Sequence, residues 1–240
     1  MPPSSNEFVA ELRSLIDQRR SFGGHPLWLS IRDGKVPRED LAQFAIQFFL
    51  QVREFPRAVS ALHANCTDSD GRIELAESLY EEETGRISGC NISHPELFLR
   101  FGKALGLARE AMTEAEALPG TKALIDWFEL STKQRSFIEG AAATNLAAEG
   151  QVPGAFGPLA RSFEQHYDLQ RADVAFWDVH EIADREHSDI GNNIVVRFAD
   201  TPERQHRVRR AVEHSLEMWW QFFDDIERSI AAEGTRPTAQ

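Results

Sequence analysis

His180, Asp184 and His187 are the residues of this chain best placed to do chemistry together. They lie in Phe176-Trp177-Asp178-Val179-His180-Glu181-Ile182-Ala183-Asp184-Arg185-Glu186-His187, which reads as the middle of a long helix free of Gly and Pro. At about 100° per residue, Asp184 falls about 40° to one side of His180 and His187 about 20° to the other. Phe176 and Gly191 share this stripe, so it faces the interior, whereas Glu181, Arg185, Glu186 and Asp189 point elsewhere and read as solvated. Two imidazoles and a carboxylate on a buried helix face are costly unless something pairs them. A transition metal is one such partner, because neutral His and ionised Asp are good ligands for iron, manganese or zinc. A hydrogen-bonded core network is the other reading, and from this triplet alone the two stand about level.

The elements that must position these groups are helical, since no period-two alternation persists anywhere. Ser4 and Glu7 form a capping-box pair ahead of Phe8, Leu12, Leu15 and Ile16, a first helix ending near Arg20. A second begins near Pro37, with Leu41, Phe44, Phe48, Gln51, Val52 and Phe55 on one face, and Pro56 interrupts it. A third runs from about Asp70 to Glu81-Glu82-Glu83-Thr84-Gly85. The mean direction of Ile73, Leu75, Ala76, Leu79 and Tyr80 lies within about 15° of Glu83, which makes Glu83 the inward carboxylate, with Glu82 as the alternative. Gly85 caps this helix. Ser93 and Glu96 form another capping box, which places His94 in the first turn of a fourth helix. A fifth helical region spans about 121–149, with Ile138, Ala142, Asn145 and Glu149 on one face. A sixth covers roughly 157–167, the His180 helix about 172–198, and Thr201-Pro202 starts an eighth.

The bulk composition bounds the possible functions. The chain has 240 residues and a formal net charge of −12, which argues against a nucleic-acid surface or an anionic membrane as partner. Sixteen Phe and five Trp against two Tyr give an unusually apolar aromatic set. Cys66 and Cys90 form no CxxC, which fits a reducing cytoplasm. The first residues do not read as a signal peptide, and no apolar run reaches membrane-span length. The expectation is one all-α domain over residues 1–240, with a frayed tail from 231.

The inward polar set is Glu83, His94, Glu149, His180, Asp184 and His187. This inventory suits two iron ions with bridging carboxylates in the core of a helix bundle. Glu203 and His206, the one Glu-x-x-His pair, read as surface chemistry, and His63, His166 and His214 as structural or exposed. Phe44, Phe48 and Gln51 are candidate pocket-lining, substrate-binding residues, with ordinary core as the competing reading.

Three segments carry a resemblance. They are Glu83 with the following Gly and His94-Pro95-Glu96-Leu97-Phe98, then Ala148-Glu149-Gly150-Gln151-Val152-Pro153, and His180-x-x-x-Asp184-x-x-His187. In order and spacing the sequence is similar to the haem-oxygenase-like diiron oxidases and oxygenases, relatives of the TenA and PqqC proteins, over nearly the whole chain. The resemblance implies a haem-oxygenase-like bundle of seven to eight helices, often dimeric. It implies two Fe(II) ions held by those six positions, the second loosely, with O2 as co-substrate. It also implies oxidation, hydroxylation or cleavage of a small organic acid, amino acid or amine, with an external reductant where the electron count needs one. The alternative is a non-catalytic or metal-independent TenA/PqqC-like bundle that binds a small molecule. The Glu83 to His94 interval is about one residue longer than the family leads one to expect. One family branch consumes its own tyrosine; this chain has only Tyr80 and Tyr167, with Phe48-Phe49 where tyrosines would be expected, which argues against that chemistry here. A thiaminase would need an activated cysteine, and neither Cys66 nor Cys90 has an evident activating partner.

Overall fold

The computed structural model describes residues 3–234, apart from the side chains of 182–189 and of 233–234. Every regular element among them is helical. In chain order they are α1 (Ser5–Arg19), α2 (Pro26–Arg32), α3 (Leu41–Val52), α4 (Phe55–Asn65), α5 (Ser69–Thr84), α6 (His94–Ala104), α7 (Arg109–Thr113), α8 (Pro119–Lys133), α9 (Phe137–Ala141), α10 (Phe156–His166), α11 (Ala175–Phe198) and α12 (Pro202–Gly234). A π-helical turn (Ala142–Leu146) and a 3₁₀ turn (Glu149–Gln151) follow α9.

This is the expected all-α bundle, more finely divided. Pro56 sits in the first turn of α4, so the 37–65 stretch becomes two helices. Two short helices, α2 and α7, lie in stretches to which the sequence reading assigns no helix. The 121–149 region splits at Gln134 and then changes its winding. The Ala147 amide donates to the Ala142 carbonyl five residues back, at 3.0 Å. Such π turns often sit at functional sites. The tail stays helical to Gly234, further than the frayed end expected from 231.

Local signals explain several boundaries. The Ser4–Glu7 capping box forms. Gly85 ends α5 in the left-handed region at φ 59°, where a side chain would also run into Cys90 and Ile92. The Ser93–Glu96 box does not form; Glu96 pairs instead with Arg109 at 2.9 Å.

One contiguous core gathers side chains from α1 to α12. At its centre Phe48 stacks on Phe98 at 5.3 Å, and Trp177 packs edge-on against Phe156 at 4.9 Å. Gly191 lets α11 close on the π turn, because a Cβ there would meet the Leu146 amide nitrogen and Asn145. Among the described residues no helix is long and apolar enough to cross a membrane.

Candidate metal centre

Three helices bring Glu82, His94 and His180 together. Their ligand atoms lie within 4.8 Å of one another, and all three side chains are buried. His94 opens α6, so its ring projects from the first turn toward the end of α5. Its Nδ1 is 3.0 Å from Glu82 Oε2, and the His94 and His180 rings are 4.4 Å apart. A nitrogen and an oxygen bound in cis positions to one ion at roughly 2.1 Å would be about 3.0 Å apart. The donor set of one carboxylate and two imidazoles suits Fe(II) or a similar ion.

Hydrogen bonds on the far side of each imidazole decide which nitrogen is offered. His180 Nδ1 lies 2.7 Å from the Phe176 carbonyl oxygen, which can only accept, so Nδ1 carries the proton and Nε2 the lone pair. His94 Nε2 is 3.4 Å from Glu81 Oε1, which leaves Nδ1 as the nitrogen beside Glu82. Glu81 also accepts from the Ile87 amide at 2.7 Å and the Ser88 amide at 3.2 Å. Burial pushes its carboxyl up, but the hydrogen bonds from His94, Ser88 and Ile87 outweigh that and hold it at about 2. Glu81 thus ties the loop after α5 to the orientation of His94.

Glu149 faces the same cavity from the 3₁₀ turn, and Asn145 on the π turn donates to its Oε2 at 2.9 Å. The cavity measures about 50 Å³. Its wall combines Glu82, Glu149 and His180 with Phe22, Phe48, Phe156 and other apolar groups.

The expected ligand positions can now be placed. His94, Glu149 and His180 are buried as expected. Asp184 and His187 lie on α11, but their side chains fall outside the described residues. Glu83 is the correction: it is exposed, and Glu82 occupies the inward place. The inner stripe of α5 is Gly71, Leu75, Ser78 and Glu82. On the helical wheel Glu82 lies about 20° from Leu75, and Glu83 about 80° away. Gly71 and Ser78 add nothing to a hydrophobic average, whereas Ile73 (60% exposed) and Tyr80 (45%) pull it toward the outer face. Glu81, to which the sequence reading gives no role, is also buried, because the loop after α5 folds back and bonds it through the Ile87 and Ser88 amides. Glu181, read as solvated, accepts from the Gly154 and Gly157 amides at 2.8 and 2.9 Å.

Of the candidate pocket residues, Phe48 and Gln51 line the cavity, together with Phe55. Phe44 does not; it is fully buried and stacks on Trp177 at 6.0 Å, so core packing accounts for it. Glu203 and His206 are exposed, as expected. Neither tyrosine reaches the cavity: Tyr167 donates to the Ile31 carbonyl at 3.1 Å, and Tyr80 is exposed beside Arg86. Cys66 is buried outside the cavity, and burial pushes its thiol up, the reverse of nucleophile activation.

The family model of the iron-containing redox enzymes matches residues 42–220. The chain belongs to that family. It is 32% identical over 239 residues to a 4-aminobenzoate synthase of Nitrosomonas europaea, covering 95% of this chain and 94% of that one. It is 26% identical to a pyrroloquinoline-quinone synthase of Pseudomonas aeruginosa, over 94% of this chain and 88% of the other. Among solved structures, a TenA homologue of Pseudomonas syringae superposes with a TM-score of 0.78 at 16% identity, covering 94% and 93% of the two chains. A CADD-like protein of Nostoc punctiforme gives 0.73 at 14%, covering 98% and 99%. These likenesses establish the haem-oxygenase-like, TenA/PqqC-type fold.

Proposed function

We propose that this protein is a non-haem iron oxidoreductase that uses O2 to oxidise a small molecule in a biosynthetic pathway. The observation that carries this reading is the convergence of Glu82, His94 and His180 on one point in the wall of an apolar cavity. Family membership and relatives that are biosynthetic synthases support it.

Glu82, His94 and His180 would hold one Fe(II). Glu149, across the same cavity, would hold a second together with Asp184 and His187, which share the His180 stripe by sequence spacing. When bound, iron supplies the redox chemistry and the place where O2 reacts. The chain's own groups do the positioning. The Phe176 carbonyl keeps His180 in the Nδ1–H tautomer, Glu81 keeps His94 turned toward Glu82, and Asn145 holds the Glu149 carboxylate. Phe22, Phe48, Phe156 and Phe176 exclude water from the place where the substrate reacts.

A self-consuming reaction at a tyrosine is disfavoured, because Tyr80 and Tyr167 stand away from the cavity. The full proposal includes a cytoplasmic homodimer and an external electron donor where the substrate does not supply all the electrons. Anaerobic titration with Fe(II), followed by O2 uptake, tests the redox reading. Two Fe(II) per chain and iron-dependent O2 consumption are expected. A wild-type protein that takes up no Fe(II) would overturn it.

A further inference from the structure

Gln47 and Gln51 stand one turn apart on α3, and both are buried. The Gln47 carboxamide is held at both its nitrogen and its oxygen. It donates to the Glu116 carbonyl at 3.1 Å and accepts from the Leu118 amide at 2.9 Å and the Thr121 hydroxyl at 2.8 Å. Gln51 is only 4% exposed, yet among the described residues its carboxamide has no hydrogen-bond partner. Other buried side-chain amides of the described residues are tied down: Asn145 to Glu149, Gln151 to Ser21, and Gln205 to the Ala199 carbonyl. No polar atom of Gln51 is among the buried unsatisfied ones, so its carboxamide opens onto cavity space, where it can bind what enters.

Gln51 lines two cavities. One is the inner cavity beside Glu82 and His180. The other is a space of about 70 Å³ bounded by Glu54, Arg57, Phe128, Glu129 and Lys133. It therefore borders both the inner chamber and the outer one. Were the two spaces joined at Gln51, they would approach the ~150 Å³ that admits benzene in an apolar protein cavity.

We propose that Gln51 recognises the substrate, and that the substrate is a single-ring compound with one uncharged hydrogen-bonding group, of the carboxamide class, directed at Gln51. This rests on the redox reading of the same cavity and names the class of molecule it takes. The ring is matched by Phe22, Phe48, Phe55 and Trp219, which line the inner chamber. The polar group is uncharged for a physical reason. A carboxamide donates and accepts but neutralises nothing, and a charge buried beside it would need an opposite charge. The inner wall offers only Glu82 and Glu149, which repel an anion and which the redox reading assigns to iron, so neither is left to pair a cationic group. In the outer chamber Arg57 is already paired with Glu54 at 2.8 Å, and Lys133 with Glu129 at 2.7 Å.

The test measures the binding of benzamide, benzoate, benzamidine and toluene by titration calorimetry or ligand-observed NMR. It uses both the metal-free protein and the protein loaded anaerobically with Fe(II). Wild type should prefer benzamide to benzoate in both forms. Gln51→Leu should weaken benzamide about five- to tenfold and leave toluene unchanged or tighter, the loss expected for one neutral hydrogen-bonding site. Gln51→Glu, which keeps the shape, should turn the preference toward benzamidine. Three results would each overturn the proposal: no probe binding at millimolar concentration, benzoate binding to metal-free wild type as tightly as benzamide, or benzamide affinity unaffected in both variants. Iron uptake is scored separately, so a protein that fails to load iron counts against the redox reading while the metal-free selectivity still decides the role of Gln51.

Discussion

Among the described residues two places gather metal-ligand side chains, and they differ in what sits behind the imidazole. Glu82, His94 and His180 form one cluster; His25, Asp224 and Glu227 form the other. In the first, His180 Nδ1 donates to the Phe176 carbonyl, so Nε2 keeps its lone pair. In the second, His25 Nδ1 accepts from the Leu27 amide at 3.1 Å, so the ring proton sits on Nε2, which donates to Asp224 Oδ1 at 3.0 Å. A cation at His25 Nε2 would have to displace that proton while the Leu27 N–H still occupied the other nitrogen. His25 is the N-cap of α2, and Asp224 of α12 holds the cap in place. Proximity of ligand-type residues is thus not enough; the partner of the remote nitrogen decides whether an imidazole offers a lone pair to an ion.

The largest effect that would break this contrast is at the first cluster. His180→Ala and Glu82→Ala should each abolish Fe(II) binding at one site in an anaerobic titration, whereas Asp224→Ala and Glu227→Ala should leave the stoichiometry at the wild-type value. Iron lost with Asp224 would make the second cluster a true site.

Next in size is Glu81→Gln. Removing the carboxylate behind a ligating histidine should weaken Fe(II) binding about 10- to 100-fold, read by competition with a chelator. The same substitution carries a pH signature. The Glu81 carboxyl is held down at about 2 against 4.5 for a free glutamate. Its contribution to stability is therefore complete above the unfolded value and is lost as pH falls toward the folded one. Glu81→Gln should flatten the fall in melting temperature between pH 4.5 and about 2 in the metal-free protein; an unchanged acid limb would refute this role.

A smaller effect belongs to the second cluster. His25→Ala should cost about 1–2 kcal/mol of stability through loss of the α2 cap, measured by urea denaturation, with Fe(II) binding unchanged. The smallest is Glu83→Ala, where both affinity and stability should stay within error of wild type. Loss of iron in Glu83→Ala with retention in Glu82→Ala would reverse the assignment made from the α5 stripe.

Much of the architecture was legible because it depends on neighbours close in sequence. The Ser4–Glu7 box, the left-handed Gly85 and the interruption at Pro56 each follow from a few consecutive residues. The inward stripe of α11 was legible for the same reason, since Phe176, His180 and Gly191 repeat at helical spacing, and His180 and Gly191 do face the core. The missed features are those in which a distant segment changes a residue's surroundings. Glu81 is buried by the loop that follows α5, and the π turn is held against α11 at Gly191 and against α12, where Ser215 donates to the Ala143 carbonyl at 2.8 Å. Phe44 and Phe48 look alike in the sequence, yet only Phe48 reaches the cavity.

By itself the amino-acid sequence determined the all-helical class, the boundaries of the helices with clear caps and the residue types of a metal centre, because helical periodicity and capping are local and side-chain chemistry is intrinsic. Only the tertiary structure chose Glu82 over Glu83, turned His94 by means of Glu81, and set the carboxamide of Gln51 apart from that of Gln47. Each of those outcomes depends on which remote chain segment covers a side chain and supplies, or withholds, its hydrogen-bond partner.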